Sequence, residues 1–319
     1  MATNLTNGKA FEYACLLAIS DIAEEKNLSV NIKESSAIKK AKKSYENLKS
    51  KNEYYQAACQ AFKLIDKLEP QLLNGKSPLT LDLANDTIAM GPDGDVRDLF
   101  CFRPGWELGL SCKHNHDALR HPRVTKDGNF GRDWLGIDCS SDFLDTIKAI
   151  VKPLEQYAID KVNWRDLDES YKFDAFYVPI LKAHLEEIKR LCSEHEDAPK
   201  LFLSYFFGSR DFYKVMMDEG KKTIHIKAFN MNGTLSKSVN GIKPIVKMKT
   251  INFPTKLLHA DFEGNSKTTI VLTFNNGWAV SMRLHNKDSI AKTTSLAWDV
   301  NLASLPPKMF LNIAPYSEQ

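Results

Sequence analysis

Asp98-Leu-Phe-Cys-Phe102, the turn Arg103-Pro-Gly105 and Trp106-Glu-Leu-Gly-Leu-Ser-Cys-Lys113 decide how this chain is read. Two β-favouring runs flank a Pro-Gly turn, which predicts an antiparallel pair. Upstream, Thr87-Ile-Ala-Met90 and the turn-rich Gly91-Pro-Asp-Gly94 extend it into a meander. Alternate residues of a strand share a face, so Glu107, Gly109, Ser111 and Lys113 point one way. Loop length sets what stands opposite. A two-residue turn at Pro104-Gly105 places Asp98 against Ser111. A four-residue loop from Phe102 to Gly105 places it against Gly109, with Glu107 and Ser111 on the diagonals. Either register leaves Asp98, Glu107, Ser111 and Lys113 on one wet face, because the two differ by an even step. Leu99, Cys101, Leu108, Leu110 and Cys112 take the apolar face.

Two acids and a lysine on one face suit metal-dependent phosphodiester cleavage. Mg²⁺ takes hard oxygen ligands, usually one or two carboxylates, and keeps several waters. Asp98 and Glu107 are the candidate carboxylates, with the backbone carbonyl of Cys112 as a further oxygen. Lys113 would orient the attacking water and offset charge on the phosphoryl oxygens. Gly109 leaves room for a metal or a sugar-phosphate to approach the sheet. Taken singly, each of these residues is ordinary on an exposed hairpin; the combination favours a site.

The chain has 319 residues, 43% hydrophobic and 26% charged. That is globular composition, with room for two domains or one elaborate one. No apolar run approaches the roughly eighteen residues of a membrane span, and the polar start MATNLTNGKAFEYA lacks the form of a signal peptide. Six scattered cysteines (Cys15, Cys59, Cys101, Cys112, Cys139, Cys192) without a CxxC pair fit reduced thiols and a cytoplasmic protein better than a disulfide scaffold. Net charge is only +3, but Lys221 to Lys287 holds eleven basic residues against Asp261 and Glu263, leaving −6 for the rest. Between Lys221 and Ala260 there are eight lysines and no acid. Such a block is expected to face a polyanion, nucleic acid first, although it also fits a solvated face.

Spacing of apolar residues predicts a helix over 8–25, capped by Thr6 or Asn7, and a helical region over 35–72 broken near Lys51–Glu53. Its lysines 39, 40, 42 and 43 form a basic face, the ordinary surface of a solvated helix. Helices follow over 142–157 and within 165–195. Strands are expected at Thr223–Phe229, Ile242–Lys249, Thr268–Phe274 and Gly277–Leu284, with Asn276-Gly277 as a hairpin turn. Three parts result: an N-terminal helical region 1–75, a catalytic core 76–220, and a basic β-rich part 221–319 that completes a DNA cleft and shares the core or stands beside it.

The quoted stretch resembles the catalytic meander of PD-(D/E)XK nucleases and, more narrowly, the HaeIII-type restriction endonucleases. Gly8-Lys-Ala-Phe-Glu12-Tyr-Ala resembles that family's opening helix. Lys113-His-Asn-His-Asp-Ala-Leu-Arg120-His, with Asn129-Phe-Gly131 and Trp134-Leu-Gly136, resembles the segment after the catalytic strand. Met282-Arg-Leu-His-Asn-Lys287 and Leu296-Ala-Trp-Asp-Val-Asn-Leu302 resemble a block shared by several type II enzymes. The likeness implies an α/β (α+β) restriction-endonuclease-like fold, a mixed sheet flanked by helices, in a hydrolase that needs Mg²⁺. It also implies that Glu12 lies near the metal. One departure matters: Ser111 stands where the general pattern has an acid. The missing carboxylate would come from Glu107 if the loop has four residues, and from Glu12 if the turn has two.

The resemblance further implies double-stranded DNA as substrate, cut at GGCC with blunt ends, and a cognate DNA methyltransferase as partner in a restriction-modification system. A palindromic site implies a homodimer or sequential nicking. Residues expected to touch DNA are Ser111, His114, Asn115, His116, Arg120, His121, Arg123 and Lys126, with Arg283, His285, Asn286 and Lys287. Trp134, Trp164 and Trp298 fit the core better than stacking platforms. Cys112, His114, His116 and His121 match no usual zinc spacing. The alternatives are a sequence-specific DNA-binding protein without catalysis and a same-fold nuclease of other specificity.

Overall fold

In the computed structural model, which describes residues 4–85, 94–115, 117–124 and 127–316, the quoted stretch folds around a two-residue turn. Arg103 faces Trp106 and Leu99 faces Leu110. The expected strand Thr87–Met90, His116 and Lys126 lie outside the described residues.

The chain opens with α1 (Asn4–Glu25), β1 (Val30–Ile32), α2 (Ser36–Glu46), α3 (Lys51–Leu68) and α4 (Pro70–Asn74). Thr6 and Asn7 therefore lie inside α1 and do not cap it. The break before α3 falls at 47–50, where Ser50 precedes the first turn. Then come β2 (Leu79–Leu83), β3 (Leu99–Arg103) and β4 (Trp106–His114). On α1, Ala10, Phe11, Ala14, Cys15, Ala18 and Ile19 recur at helical spacing and are all buried. They pack on the apolar face of the meander, among Leu99, Cys101, Leu108, Leu110 and Cys112. Each large apolar side chain so buried contributes about 1.5–3 kcal/mol, and the small alanines let α1 approach the sheet closely.

A second helical block follows: α5 (Phe130–Leu135), α6 (Ser141–Val151), α7 (Pro153–Ile159), α8 (Glu169–Lys172), α9 (Val178–Glu194) and α10 (Ala198–Phe207). The remaining strands are β5 (Phe212–Asp218), β6 (Thr223–Phe229), β7 (Leu257–Phe262), β8 (Thr269–Phe274), β9 (Ala279–Asn286), β10 (Leu296–Ser304) and β11 (Phe310–Pro315). One mixed sheet runs β1-β2-β3-β4-β5-β6-β11, parallel at β1/β2 and β4/β5. Strands from all three of the expected parts meet in it. The second sheet, β10-β9-β8-β7, is antiparallel and turns at Asn275–Gly277, where Asn276 and Gly277 are left-handed as the Asn-Gly pair requires. It packs against α5, α6, α9 and α10 in a second core that also takes in Phe212, Phe229 and Trp134, Trp164 and Trp298.

The expected strand Ile242–Lys249 does not form. Only Val239 and Ile242 bridge, across a left-handed Asn240-Gly241 turn, and Pro244 has no N–H for a ladder. β5 went unforeseen because its first six residues are all buried, so no alternation marks it.

Candidate functional site

Continuing the β3–β4 register sets Asp98 against Ser111. Asp98 Oδ2 accepts from the Cys112 backbone N–H at 2.8 Å, from Lys113 Nζ at 3.0 Å and from Ser111 Oγ at 3.3 Å. In an extended strand a residue's N–H and C=O leave the same side, so the Cys112 carbonyl also faces Asp98. Burial works to discharge Lys113, but the Asp98 carboxylate, with Glu12 behind it, outweighs burial and holds the ammonium above its ordinary range.

Glu12 is buried on α1, its carboxylate 3.0 Å from Lys9 Nζ. Burial, and then the Asp98 charge, push its pKa up to about 7 against the pull of Lys9 and Lys113. A buried carboxylate facing a second negative charge, as Glu12 faces Asp98, is stabilised by a cation. Among the described residues no group of three His, Cys, Asp or Glu side chains converges on one point. Asp98, Glu12 and the Cys112 carbonyl nevertheless fit Mg²⁺, which completes its shell with water.

Glu107 stands across from Phe102, four residues along β4 from Ser111 and so about 13 Å away. Its Oε1 takes Arg97 Nη1 at 2.5 Å and Arg210 Nη1 at 3.4 Å. Arg97 was not foreseen. Its side chain is 4% exposed, is gripped by both oxygens of Asp95 (Nε 2.8 Å, Nη2 2.6 Å) and lies over the Phe100 ring. It also fills the notch at Gly109, where a Cβ would fall 2.0 Å from Arg97 Cδ. The missing side chain at 109 makes room for this arginine rather than for a metal or a phosphate.

His114 and Asn115 brace the end of β4. The His114 ring stacks on Tyr54, its Nε2 2.8 Å from the Tyr54 hydroxyl and 3.0 Å from Glu219 Oε2. Burial lowers its pKa although Glu219 opposes it. Asn115, left-handed, exchanges hydrogen bonds with Glu219. Further along, Asp117 is held between two lysines that face each other across β5 and β6: Lys214 at 2.8 Å, and Lys227. Lys214 Nζ also donates to the backbone carbonyls of Asp117 and Ala118. Burial drives the Lys214 pKa down to about 8 although Asp117 raises it. Of these two lysines the sequence shows only Lys227 as a charge on an expected strand; their shared partner comes from a distant loop.

That loop then passes along β10 without forming a regular strand. Arg120 bridges to Val300 and Arg123 to Ala297, so 119–124 runs antiparallel beside β10. The segment after β4 and the C-terminal block, two separate sequence candidates, are thus neighbours. His121 Nδ1 lies 3.6 Å from Asp299, which also takes Arg283 Nη2 at 3.1 Å. Arg283 remains 56% exposed on that face, and Lys287 is exposed beyond it. His285 is half-buried, and Asn286 donates to the Asp288 carbonyl. Arg120 turns inward, onto the Tyr205 ring and its carbonyl at 2.7 Å. Arg123 pairs with Asp288 at 3.1 Å.

The acid-free lysine block is dispersed. Lys222 pairs with Glu53 and Lys227 with Asp117. Lys237, Lys243, Lys247 and Lys249 are exposed on the irregular segment 230–256. It leaves β6 at the Phe229 end, which lies beside Phe212 and Gly109 and away from Lys113, and it is anchored to Lys67 and Asn74.

Compared with known proteins, residues 8–306 match the model of the HaeIII restriction endonuclease family. The type II restriction enzyme HaeIII of Haemophilus aegyptius is 35% identical over 317 residues, covering 98% of each chain. No solved structure matches significantly. No described helix is long and apolar enough to cross a membrane.

Proposed function

The chain belongs to the HaeIII restriction endonuclease family, and from that premise we propose that Asp98, Glu12 and Lys113 form the centre at which it cleaves double-stranded DNA. It is a type II site-specific deoxyribonuclease of a kind that generally uses a divalent metal. The Asp98 and Glu12 carboxylates and the Cys112 carbonyl would hold that metal, Mg²⁺. The observation that carries this is the convergence of Lys113 Nζ and the Cys112 N–H on Asp98 Oδ2, with the buried Glu12 near enough to feel the Asp98 charge.

A metal held there would supply Lewis acidity that polarises the scissile phosphate and lowers the pKa of an attacking water. Lys113, kept charged and aimed by Asp98, orients that water and offsets charge growing on the non-bridging oxygens. Ser111 and the Cys112 N–H hold the Asp98 carboxylate in one orientation, so little reorganisation is needed at the moment of reaction. Arg283, His121 and Lys287 offer the face from which base edges or phosphates are met; Asn286 alternates to the other side of β9, where its side-chain oxygen accepts from Tyr177. Arg120, His114 and Asn115 act as braces behind that face.

The target, as the resemblance to HaeIII-type enzymes implies, is GGCC cut to blunt ends, and a cognate DNA methyltransferase protects the host's own sites. Two copies acting across a two-fold axis would match the symmetry of such a site. The test is digestion of unmethylated phage DNA by purified protein with Mg²⁺ and with EDTA, followed by sequencing of the ends. Blunt GG and CC termini formed only with Mg²⁺ are expected. Other discrete ends would discard GGCC and keep the centre. Binding without cleavage under any divalent metal would discard the centre itself.

A further inference from the structure

We propose that Glu107 is a positioning residue that acts through Arg97 to hold Asp98 at the metal site. The inference rests on Asp98 being a metal ligand. Arg97 is the residue immediately before Asp98, and nothing about it is left loose. Its backbone N–H donates to Asp95 Oδ1 at 3.0 Å, closing a turn of three residues, while its guanidinium meets the same carboxylate side-on. Glu107 completes the clamp from the neighbouring strand at 2.5 Å, and Arg210 braces Glu107 from outside. A fork-shaped cation between two carboxylates has its direction fixed by geometry as well as by charge. The stem of Arg97 is pinned too, in the notch that only a glycine at 109 provides, with Phe100 beneath the guanidinium.

Asp98 enters the sheet straight from this clamp, its N–H donating to the Leu110 carbonyl at 2.7 Å. β3 begins one residue later, at Leu99. The clamp is therefore what sets the point at which the chain joins the sheet, and with it the reach of the Asp98 carboxylate. Buried outer partners of metal ligands tune metal affinity by about 10–100-fold when removed. Glu107 lies too far along β4 to bind the same ion, and both its neighbours are guanidinium groups.

The experiment uses the full chain and single-turnover cleavage of a duplex oligonucleotide, with Mg²⁺ titrated for each variant. Melting temperature and metal-free DNA binding are measured alongside. Glu107→Ala and Gly109→Ala, which strike the two ends of the clamp, should each raise the half-maximal Mg²⁺ concentration about tenfold or more. The rate at saturating Mg²⁺ should largely recover. Glu107→Gln keeps an acceptor for Arg97 and should restore most of the lost affinity. The double variant should be no worse than the harsher single one. Loss of cleavage by Glu107→Gln at every Mg²⁺ concentration would overturn the proposal, since the carboxylate would then be a ligand. An unmoved Mg²⁺ midpoint with only a lower melting temperature would overturn it in favour of plain structural support. Should Gly109→Ala fail to fold, the two Glu107 variants decide. Asp98→Ala is the separate control: if it still cleaves, the assigned centre fails, independently of the clamp.

Discussion

Replacing Lys113 by Met separates chemistry from stability at one atom. The ammonium is the outermost of three donors on Asp98 Oδ2; the Cys112 N–H and the Ser111 hydroxyl remain after its loss. The pair is partly wet, with Lys113 29% and Asp98 19% exposed. Its removal therefore costs about 1 kcal/mol of folding free energy, no more than about 3 °C in melting temperature for a chain of this size. The loss in the transition state is larger. Removing one preorganised electrostatic partner typically slows the chemical step about 10²–10³-fold, or about 3–4 kcal/mol. Single-turnover cleavage of an oligonucleotide at saturating Mg²⁺ reads the second quantity and a thermal melt reads the first. Metal-free DNA affinity should change by no more than one phosphate contact, lowering the salt slope by about 0.9. A cleavage rate within threefold of the parent, or a rate loss matched by collapse of the melt, would refute the assigned role.

Asp98→Asn should abolish cleavage at all Mg²⁺ concentrations while leaving a gel shift on the target intact; retained cutting would move the centre elsewhere. Arg283→Gln should weaken DNA binding, and a flatter salt dependence without altered sequence preference would mark a phosphate contact. A further prediction concerns His184, buried among Phe130, Phe143 and Trp298 with Nδ1 2.8 Å from the Ile180 carbonyl oxygen. Burial lowers its pKa from 6.5 to about 4. The unfolded chain then binds the proton more readily, so its stabilising contribution is complete above about pH 6.5. As pH falls to 4 it is lost, about 3 kcal/mol in all. Urea unfolding should show this slope in the parent and a flatter one in His184→Leu; parallel slopes would disprove it.

Much of the architecture was legible where one face of an element is wet. β6 begins and ends where alternation placed it, and Asn276-Gly277 makes the turn expected of it. β5 and the first half of β10 are buried on both faces, so their sequences lack the period that would have marked them. Ile242–Lys249 misled for the opposite reason. Its apolar residues suggested a strand, yet Ile242, Ile245 and Val246 are exposed on a loop. At the candidate centre, the strand pair alone suffices to put Asp98 and Lys113 on one face. The choice between Glu12 and Glu107 hung on whether two or four residues make the turn, and Pro104-Gly105 suits both. Arg97 carries no sequence signal because a buried arginine is rare and its partners Asp95, Glu107 and bare Gly109 are assembled only by the fold. Summing the lysines of 221–260 likewise measured their charge but could not say where each would lie.

Between Lys113 and Arg120, where the chain joins the second sheet, there are seven residue steps, at most about 25 Å of backbone. Lys214 and Lys227 fasten this span at Asp117. In the proposed complex it works as a covalent ruler. The offset between the bases met by β9 and the bond that is cut is bounded by chain length. Substitutions on β9 can then alter which sequence is chosen while the stagger of the ends stays constant. Moving the cut itself would require inserting or deleting residues in the ruler, a far rarer event in the history of a gene than a point change.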